Sequence, residues 1–289
     1  MFFRSAVGRL EADGVVSIPL THGKAMQGEL FRQLRLLDSA GASLLHGGGP
    51  DRRHYTVSQI SGPFDVERGL AWARPGAPYW FRLTGIGAVA VAALSAVTEK
   101  VRDWNCAGAQ FRIAGWETQA GSGESWGGSL DMGQLLEAAV HDHAAEPNRI
   151  VLGFLSPATM KRNSESRWAR CNPIPVPEQV FASISERASL VSPDFPRPPD
   201  WRALLTECLA VGQYELQTRS LDFGRDGGKR VGFVGTCEFL IDPALGPSER
   251  LWLHLLGGLA FYTGVGAETS WGMGQARREP AERFRYRGW

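Results

Sequence analysis

Long hydrophobic runs are absent from this sequence. The longest candidate, residues 86–97, is short and rich in Ala and Gly, below the roughly 18 apolar residues that a membrane-spanning helix needs. The first 14 residues carry an acid at Glu11 and no long apolar stretch, which argues against a signal peptide. We therefore expect no membrane association and a cytoplasmic location.

Cysteine and lysine are both scarce. The four cysteines lie far apart with no CxxC pair, as expected of reduced thiols and not of a disulfide framework or zinc knuckle. Four lysines leave 27 arginines, whose planar guanidinium suits phosphate, although a GC-rich genome would explain the bias equally well. The net charge is only +1, so any basic surface must be local; residues 161–170 and 277–289 are the candidates.

Several catalytic and nucleotide-binding motifs are missing. There is no HExxH zinc motif and no Walker motif. His141 and His143 stand two residues apart on a predicted helix and therefore point to different faces. We expect no metal site and no cofactor.

Hydrophobic periodicity predicts the order β-α-β-β-α-β in the first half of the chain. Helical spacing places Leu30, Phe31, Leu34 and Leu37 on one face. The predicted strands are 15–20, 54–60, 79–84 and 110–116, and the predicted helices begin near residue 28 and span 88–104.

The second half repeats this order. Alternation of Val231, Phe233, Cys237, Phe239 and Ile241 predicts one strand of a hairpin. The predicted strands are 149–155, 214–221, 231–241 and 273–277, and the predicted helices are 177–189, 201–211 and 249–262, the last with Ser248 as N-cap. Two such units predict an α+β fold of two tandem ferredoxin-like domains, 1–145 and 146–289.

A glycine-rich segment near the C-terminus, TGVGAETSWGMGQ (263–275), has the form GxGx₅GxG. It is not a dinucleotide fingerprint, because Thr269 stands where GxGxxG needs glycine and the segment follows a helix. Two interpretations remain open. Exposed backbone N–H groups of Gly264, Gly266, Gly272 and Gly274 could receive a phosphate chain, or the segment could be a turn packed against a sheet.

This segment resembles the glycine-rich loop of the RAMP superfamily, and in particular of the CRISPR-associated endoribonuclease that cuts precursor CRISPR RNA within its repeats. Four further segments are similar to motifs of that family, and the resemblance covers nearly the whole chain: HYTVSQI (54–60), FLSPATMK (154–161), IPVPEQVFASI (174–184) and VGFVGTCEF (231–239).

The resemblance implies metal-independent chemistry, in which the ribose 2′-hydroxyl attacks the adjacent phosphate and leaves a 2′,3′-cyclic phosphate and a 5′-hydroxyl. It implies that His46, in LLHGGGPDRRHYTVS, is the general acid or base. Arg52 or Arg53 could stabilise the transition-state charge where other members use lysine.

The second proton carrier is open, because some members pair the histidine with an upstream tyrosine and no tyrosine precedes Tyr55 here. His22, His54 or Ser43 could serve, although His54 could equally be a strand residue facing solvent. The resemblance also implies contacts to the repeat stem from a basic segment early in the second domain. The candidates are Lys161, Arg162, Arg167 and Arg170, with Trp168 as a base-stacking residue.

The expected partners are CRISPR repeat RNA and its processed crRNA and, beyond these, other subunits of a CRISPR effector complex. The alternative function is a RAMP subunit that binds crRNA without cutting, since its sheets and glycine-rich segment would look the same. A small-molecule enzyme with a phosphate-binding loop is the third candidate.

Overall fold

The computed structural model describes residues 2–47, 53–119, 125–161, 171–192, 195–224 and 227–284. The chain divides into two compact units by its contacts. The first comprises Met1–Asp131, Asp222–Gly228 and Glu268–Gly272, and the second comprises Met132–Leu221, Lys229–Ala267 and Met273–Trp289. Each unit repeats the predicted order of elements, which confirms two tandem ferredoxin-like domains.

The first unit holds nine strands and three α-helices in its described residues, besides a 3₁₀ helix at Thr269–Trp271. They are β1 (Phe2–Glu11), β2 (Val16–Pro19), α1 (Gly23–Leu37), α2 (Ser39–His46), β3 (Tyr55–Val57), β4 (Asp65–Glu67), β5 (Leu70–Ala73), β6 (Tyr79–Ile86), α3 (Ala88–Lys100), β7 (Asp103–Cys106), β8 (Ala109–Glu117) and β9 (Gly128–Asp131).

The main sheet of this unit has the order β3-β6-β1-β8-β7, with β9 also pairing with β1. Its ladders are antiparallel, as in the pairs Ala6↔Leu83 and Leu10↔Ile113. The β-α-β-β-α-β path therefore runs through β1, α1, β3, β6, α3 and β8. A separate three-stranded sheet has the order β2-β5-β4.

The first strand was predicted wrongly at residues 15–20. The strand at the centre of the sheet is β1, whereas 16–19 belong to β2 of the small sheet. The polar side chains of β1 obscured this strand in the sequence, but they form hydrogen bonds with residues far along the chain. Arg4 donates hydrogen bonds to Ser95 and Thr98 of α3, and the Ser5 hydroxyl donates to the Trp126 carbonyl.

A helix that the sequence analysis missed, α2, follows α1 directly. Asp38 ends α1, where its N–H donates to the Leu34 carbonyl, and begins α2, where its carboxylate accepts from the Gly41 N–H. Ala42 and Leu45 are the buried residues of α2. The opposite face of α2 is therefore turned to solvent.

The second unit holds four α-helices and six strands in its described residues, besides a 3₁₀ helix at Ala281–Phe284. They are α4 (Met132–Ala145), β10 (Arg149–Ala158), β11 (Met160–Lys161), β12 (Cys171–Asn172), α5 (Pro177–Val191), α6 (Trp201–Glu207), β13 (Leu209–Asp222), β14 (Lys229–Ile241), α7 (Pro247–Thr263) and β15 (Ala276–Arg278).

Its sheet has the order β13-β14-β10-β15, the same order as β3-β6-β1-β8. Phe233, Cys237, Phe239 and Ile241 of β14 are buried, as predicted, whereas Val231, predicted on the same face, is 37% exposed. Helix α7 begins at Pro247 after an N-cap at Gly246, so the prediction of Ser248 as N-cap was wrong. Proline suits this first helical position because its missing N–H would have no partner there.

Three further observations complete the fold. The contacts group α4 with the second unit, although the sequence analysis set the domain boundary at residue 145. The cysteines are free: Cys106 and Cys237 are buried and Cys171 and Cys208 are partly exposed. Within the described ranges, no helix is both long and apolar enough to cross a membrane.

Candidate active site

His46 lies at the C-terminal end of α2 and is exposed. Its imidazole packs edge to face against Phe31 of α1, with 5.1 Å between the ring centroids. Both side chains line a cavity of about 270 Å³, whose other lining residues are Arg35, Ala42, Ser43 and Gly47. The predicted proton carrier therefore lies in an open pocket beside a hydroxyl and a guanidinium.

Arg53 is held by two neighbours. Its Nη1 donates a hydrogen bond of 2.6 Å to Oγ of Ser270. It also interacts with the phenol of Tyr55: burial raises the pKa of Tyr55, and the charge and hydrogen bond of Arg53 partly offset that rise. The other candidate cation, Arg52, lies outside the described residues.

An aromatic contact connects this arginine to the pocket of His46. The Phe31 ring packs edge to face on Tyr55, with 5.4 Å between centroids, and on His46. The Tyr55 hydroxyl accepts a hydrogen bond of 2.7 Å from Gln27 Nε2. Gln27 Oε1 in turn accepts one of 2.9 Å from the indole Nε1 of Trp271.

The sequence analysis missed Gln27, Tyr55 and Ser270 as neighbours of the site. Tyr55 and Ser270 lie in segments that had been singled out, the 54–60 strand and the glycine-rich segment. Their proximity is a tertiary contact, since 217 residues separate Arg53 from Ser270. No spacing within either segment indicates it.

His22 is buried and both of its ring nitrogens are engaged with the backbone. Nδ1 donates to the Pro19 carbonyl at 2.8 Å, and Nε2 accepts from the Ile60 N–H at 2.7 Å. These two bonds require the neutral tautomer with its proton on Nδ1. Burial lowers the pKa of His22 to about 4, which the bond to Pro19 only partly offsets. This geometry favours a structural role over proton transfer to a substrate.

His54 is half-buried just before β3, and burial lowers its pKa. Its backbone carbonyl accepts a hydrogen bond of 2.8 Å from the Ile86 N–H. Its role as second proton carrier stays a prediction. Ser43 lines the cavity of His46, and its hydroxyl donates to the Ser39 carbonyl at 2.9 Å.

The glycine-rich segment is folded into the protein interior. Gly264, Gly266, Gly272 and Gly274 are all buried and have φ between 64° and 90°. Their conformation explains the glycines, because other residues seldom adopt positive φ.

Protein oxygens already accept hydrogen bonds from three of these glycines. The N–H of Gly264 donates to Ala260, that of Gly266 to Ser183 Oγ, and that of Gly274 to Pro157. These groups are not available to a phosphate in this geometry, which favours the packed turn over the phosphate cradle.

Arg187 of α5 holds the same segment. It is buried and donates hydrogen bonds to the carbonyls of Thr263 and Gly266. The two ends of the segment group with the second unit, while Glu268–Gly272 group with the first and bring Ser270 to Arg53.

Of the predicted stem-binding segment, one residue, Lys161, lies within the part of the chain that the structure describes. Lys161 is exposed at the end of β11, where it pairs with Cys171 of β12. The other predicted residues of this segment, Arg162, Arg167, Trp168 and Arg170, lie outside the described residues.

His254 of α7 is fully buried. Its Nδ1 accepts from Arg278 at 2.9 Å, and burial, followed by the charge of Arg278, lowers the pKa of His254 to about 4. Among the residues that the structure describes, no group of three or more His, Cys, Asp or Glu side chains is arranged to hold a metal ion.

Comparison with known proteins gives a family match and whole-chain structural matches. Residues 152–276 match the family model described as CRISPR-associated endoribonuclease Cas6. No curated protein sequence matches the chain. The product complex of Cas6 (TTHA0078) is similar with a TM-score of 0.73 and 25% identity, over 97% of this chain and 100% of that one. The same Cas6 has structures as a substrate mimic complex and as a histidine-to-alanine mutant.

Other structures share the fold at lower identity. The product complex of a Thermus thermophilus Cas6 (TTHB231) has a TM-score of 0.74 and 23% identity, over 96% of this chain and 100% of that one. A RAMP protein that binds different RNA substrates has a TM-score of 0.61 and 12% identity, over 97% and 100% of the two chains. The sequence is thus similar to the Cas6 family model over residues 152–276, and the fold is similar to that of Cas6 along nearly the whole chain.

Proposed function

We propose that this protein is a metal-independent endoribonuclease that cleaves precursor CRISPR RNA within its repeats. The observation that carries the proposal is the placement of His46, exposed in an open cavity beside Ser43 and Arg35. The similarity to Cas6 structures with product and with a substrate mimic supports RNA as the substrate. We propose that it acts in the cytoplasm, where the four free thiols would stay reduced.

The reaction needs no water or metal-bound nucleophile, because the RNA supplies its own. The ribose 2′-oxygen forms a bond to the adjacent phosphorus while the bond from phosphorus to the 5′-oxygen breaks. The 2′-hydroxyl loses its proton, and the leaving 5′-oxygen gains one. The products are a 2′,3′-cyclic phosphate and a 5′-hydroxyl.

We assign the proton transfer to His46. An exposed imidazole at the rim of a cavity can reach a bound phosphodiester, and histidine is the side chain whose ordinary pKa lies nearest neutral pH. His22 is a poor candidate for the second transfer because the backbone occupies both of its nitrogens. Ser43, which lines the same cavity, and His54 remain the candidates.

Arg53 would stabilise the negative charge that develops on the phosphate oxygens. Ser270 and Tyr55 fix its orientation before the substrate arrives, and such preorganised donors contribute most in a site that excludes water. We propose repeat RNA as the partner of the free protein and the subunits of an effector complex as partners after cleavage.

The test is cleavage of a labelled repeat RNA in EDTA by the wild type and by His46→Ala. His141→Ala is the matched control, since His141 is also an exposed helical histidine. We expect cleavage by the wild type and by His141→Ala, and none by His46→Ala or on RNA with a 2′-deoxy substitution at the cut site. The 5′ fragment should resist phosphatase until acid opens its cyclic phosphate. Tight binding without cleavage would instead favour the non-catalytic subunit.

A further inference from the structure

The cavity that holds His46 also contains an arginine that the sequence analysis did not single out. Arg35 comes from the last turn of α1, whereas Ser43 and His46 come from α2. Phe31 lies one turn before Arg35, and residues four apart share a helix face. Because Phe31 packs on His46, the side of α1 that carries Arg35 is turned towards the imidazole.

Arg35 also differs from its neighbour Arg32 in its partners. Arg32 forms an ion pair with Glu29 of the same helix, with 2.6 Å from Nε to Oε2. Arg35 is exposed, and among the described residues no carboxylate lies within ion-pair distance of its guanidinium. Its donors are therefore available to a ligand, whereas Arg53 already gives Nη1 to Ser270.

The cavity thus brings together a cation with five N–H donors, an imidazole and a hydroxyl. Its volume of about 270 Å³ is just below the smallest typical ligand pockets, which measure about 300 Å³. A guanidinium can donate two parallel hydrogen bonds to two oxygens of one phosphate, whereas an ammonium group lacks this planar geometry. This set of groups suits a phosphodiester undergoing proton transfer at His46.

We propose that Arg35 is a catalytic residue that contacts the non-bridging oxygens of the scissile phosphate beside His46. The proposal rests on the proposed function and deepens it. The guanidinium of Arg35 holds the phosphate at His46 and neutralises the additional charge of the phosphorane, so that it binds the transition state more strongly than the ground state.

The test measures single-turnover cleavage at saturating protein, and RNA affinity separately, for Arg35→Ala, Arg35→Lys and the control Arg32→Ala. Both alanine variants remove one exposed positive charge from α1. We expect Arg35→Ala to slow cleavage by about 10²–10³-fold, while its Kd changes by much less. Arg35→Lys should recover part of the rate, and Arg32→Ala should cleave like the wild type.

A second measurement separates phosphate contact from a structural role. Sulfur in place of a non-bridging oxygen should slow the wild type and slow Arg35→Ala by a smaller factor, because the contact has already been lost. If Arg35→Ala cleaves as fast as the wild type, or loses rate only through weaker binding, or keeps the full sulfur effect, the Arg35 assignment is overturned. If His46→Ala is inactive in the same experiment, the proposed function survives that result. A wild type that does not cleave overturns both.

Discussion

The guanidinium of Arg53 and the hydroxyl of Ser270 are joined by a hydrogen bond of 2.6 Å. Ser270 is buried at 1% exposure, and Arg53 also contacts the phenol of Tyr55. The middle of the glycine-rich segment therefore fixes an arginine proposed for catalysis. We propose that the segment acts on the site through this contact, since three of its four glycine N–H groups already donate to protein oxygens.

Ser270→Ala should weaken catalysis through Arg53. A hydrogen bond to a charged group contributes about 1.5–3 kcal/mol. Without the bond to Ser270 the guanidinium of Arg53 is less well oriented, and we expect cleavage to slow by about three- to thirtyfold. The measurement is a double-mutant cycle of single-turnover rates for Ser270→Ala, Arg53→Ala and the double variant. If Ser270 acts through Arg53, the double variant cleaves no more slowly than Arg53→Ala. Multiplicative losses would show that Ser270 acts independently.

Gly266→Ala should lower the free energy of unfolding more than an alanine substitution at another glycine with the same positive φ. Gly266 has φ 76°, and an added Cβ would collide with the backbone carbonyl of Thr159. Gly76 is a matched control, with φ 77° and no heavy atom within 4 Å of an added Cβ. The left-handed conformation alone costs about 1–2 kcal/mol for alanine.

Urea denaturation of both variants gives the comparison. Gly76→Ala should lose about 1–2 kcal/mol, and Gly266→Ala should lose distinctly more, because the Thr159 carbonyl and the hydrogen bonds from Arg187 must shift. Equal losses in the two variants would mean that the segment relaxes freely around residue 266.

The two-domain architecture could be predicted because most of its elements follow simple periodicity. In β14, Phe233, Cys237, Phe239 and Ile241 alternate and are buried. Strand β1 could not be found in this way. It is a central strand whose residues 5–8 are all buried, so buried and exposed positions do not alternate along it. Arg4 and Ser5 within it form their side-chain hydrogen bonds with residues 77 to 121 positions away.

The site could be predicted only where its reactive residues lie close together in the sequence. The segment around His46 could be singled out by its histidine, glycines and arginines. Arg35 and Ser270 could not, because one depends on the turn between α1 and α2 at Asp38 and the other on a contact 217 residues away from Arg53. His22 was a reasonable candidate from the sequence, and its burial and its two backbone hydrogen bonds argue against it.

The stability of the protein should fall as the pH drops from about 6.5 towards 4. His22 and His254 both have a folded pKa lowered to about 4 by burial, against the ordinary value of 6.5. In this interval the unfolded chain binds a proton at each position while the folded chain does not, so acid favours unfolding. Each histidine should contribute a slope of up to about 1.4 kcal/mol per pH unit, and above pH 6.5 the contribution of both is complete.

His22→Gln tests the share of His22, because glutamine does not titrate. The free energy of unfolding is measured from pH 7.5 to 4.5 for the wild type, His22→Gln and the exposed control His141→Gln. We expect His22→Gln to be less stable at pH 7.5, where the bonds to Pro19 and Ile60 are disturbed, but to lose less stability on acidification. His141→Gln should follow the wild type. If the free energy of unfolding of His22→Gln depends on pH as steeply as that of the wild type, His22 is protonated in the folded wild type over this pH range. The hydrogen bond from the Ile60 N–H to Nε2 would then have to be absent.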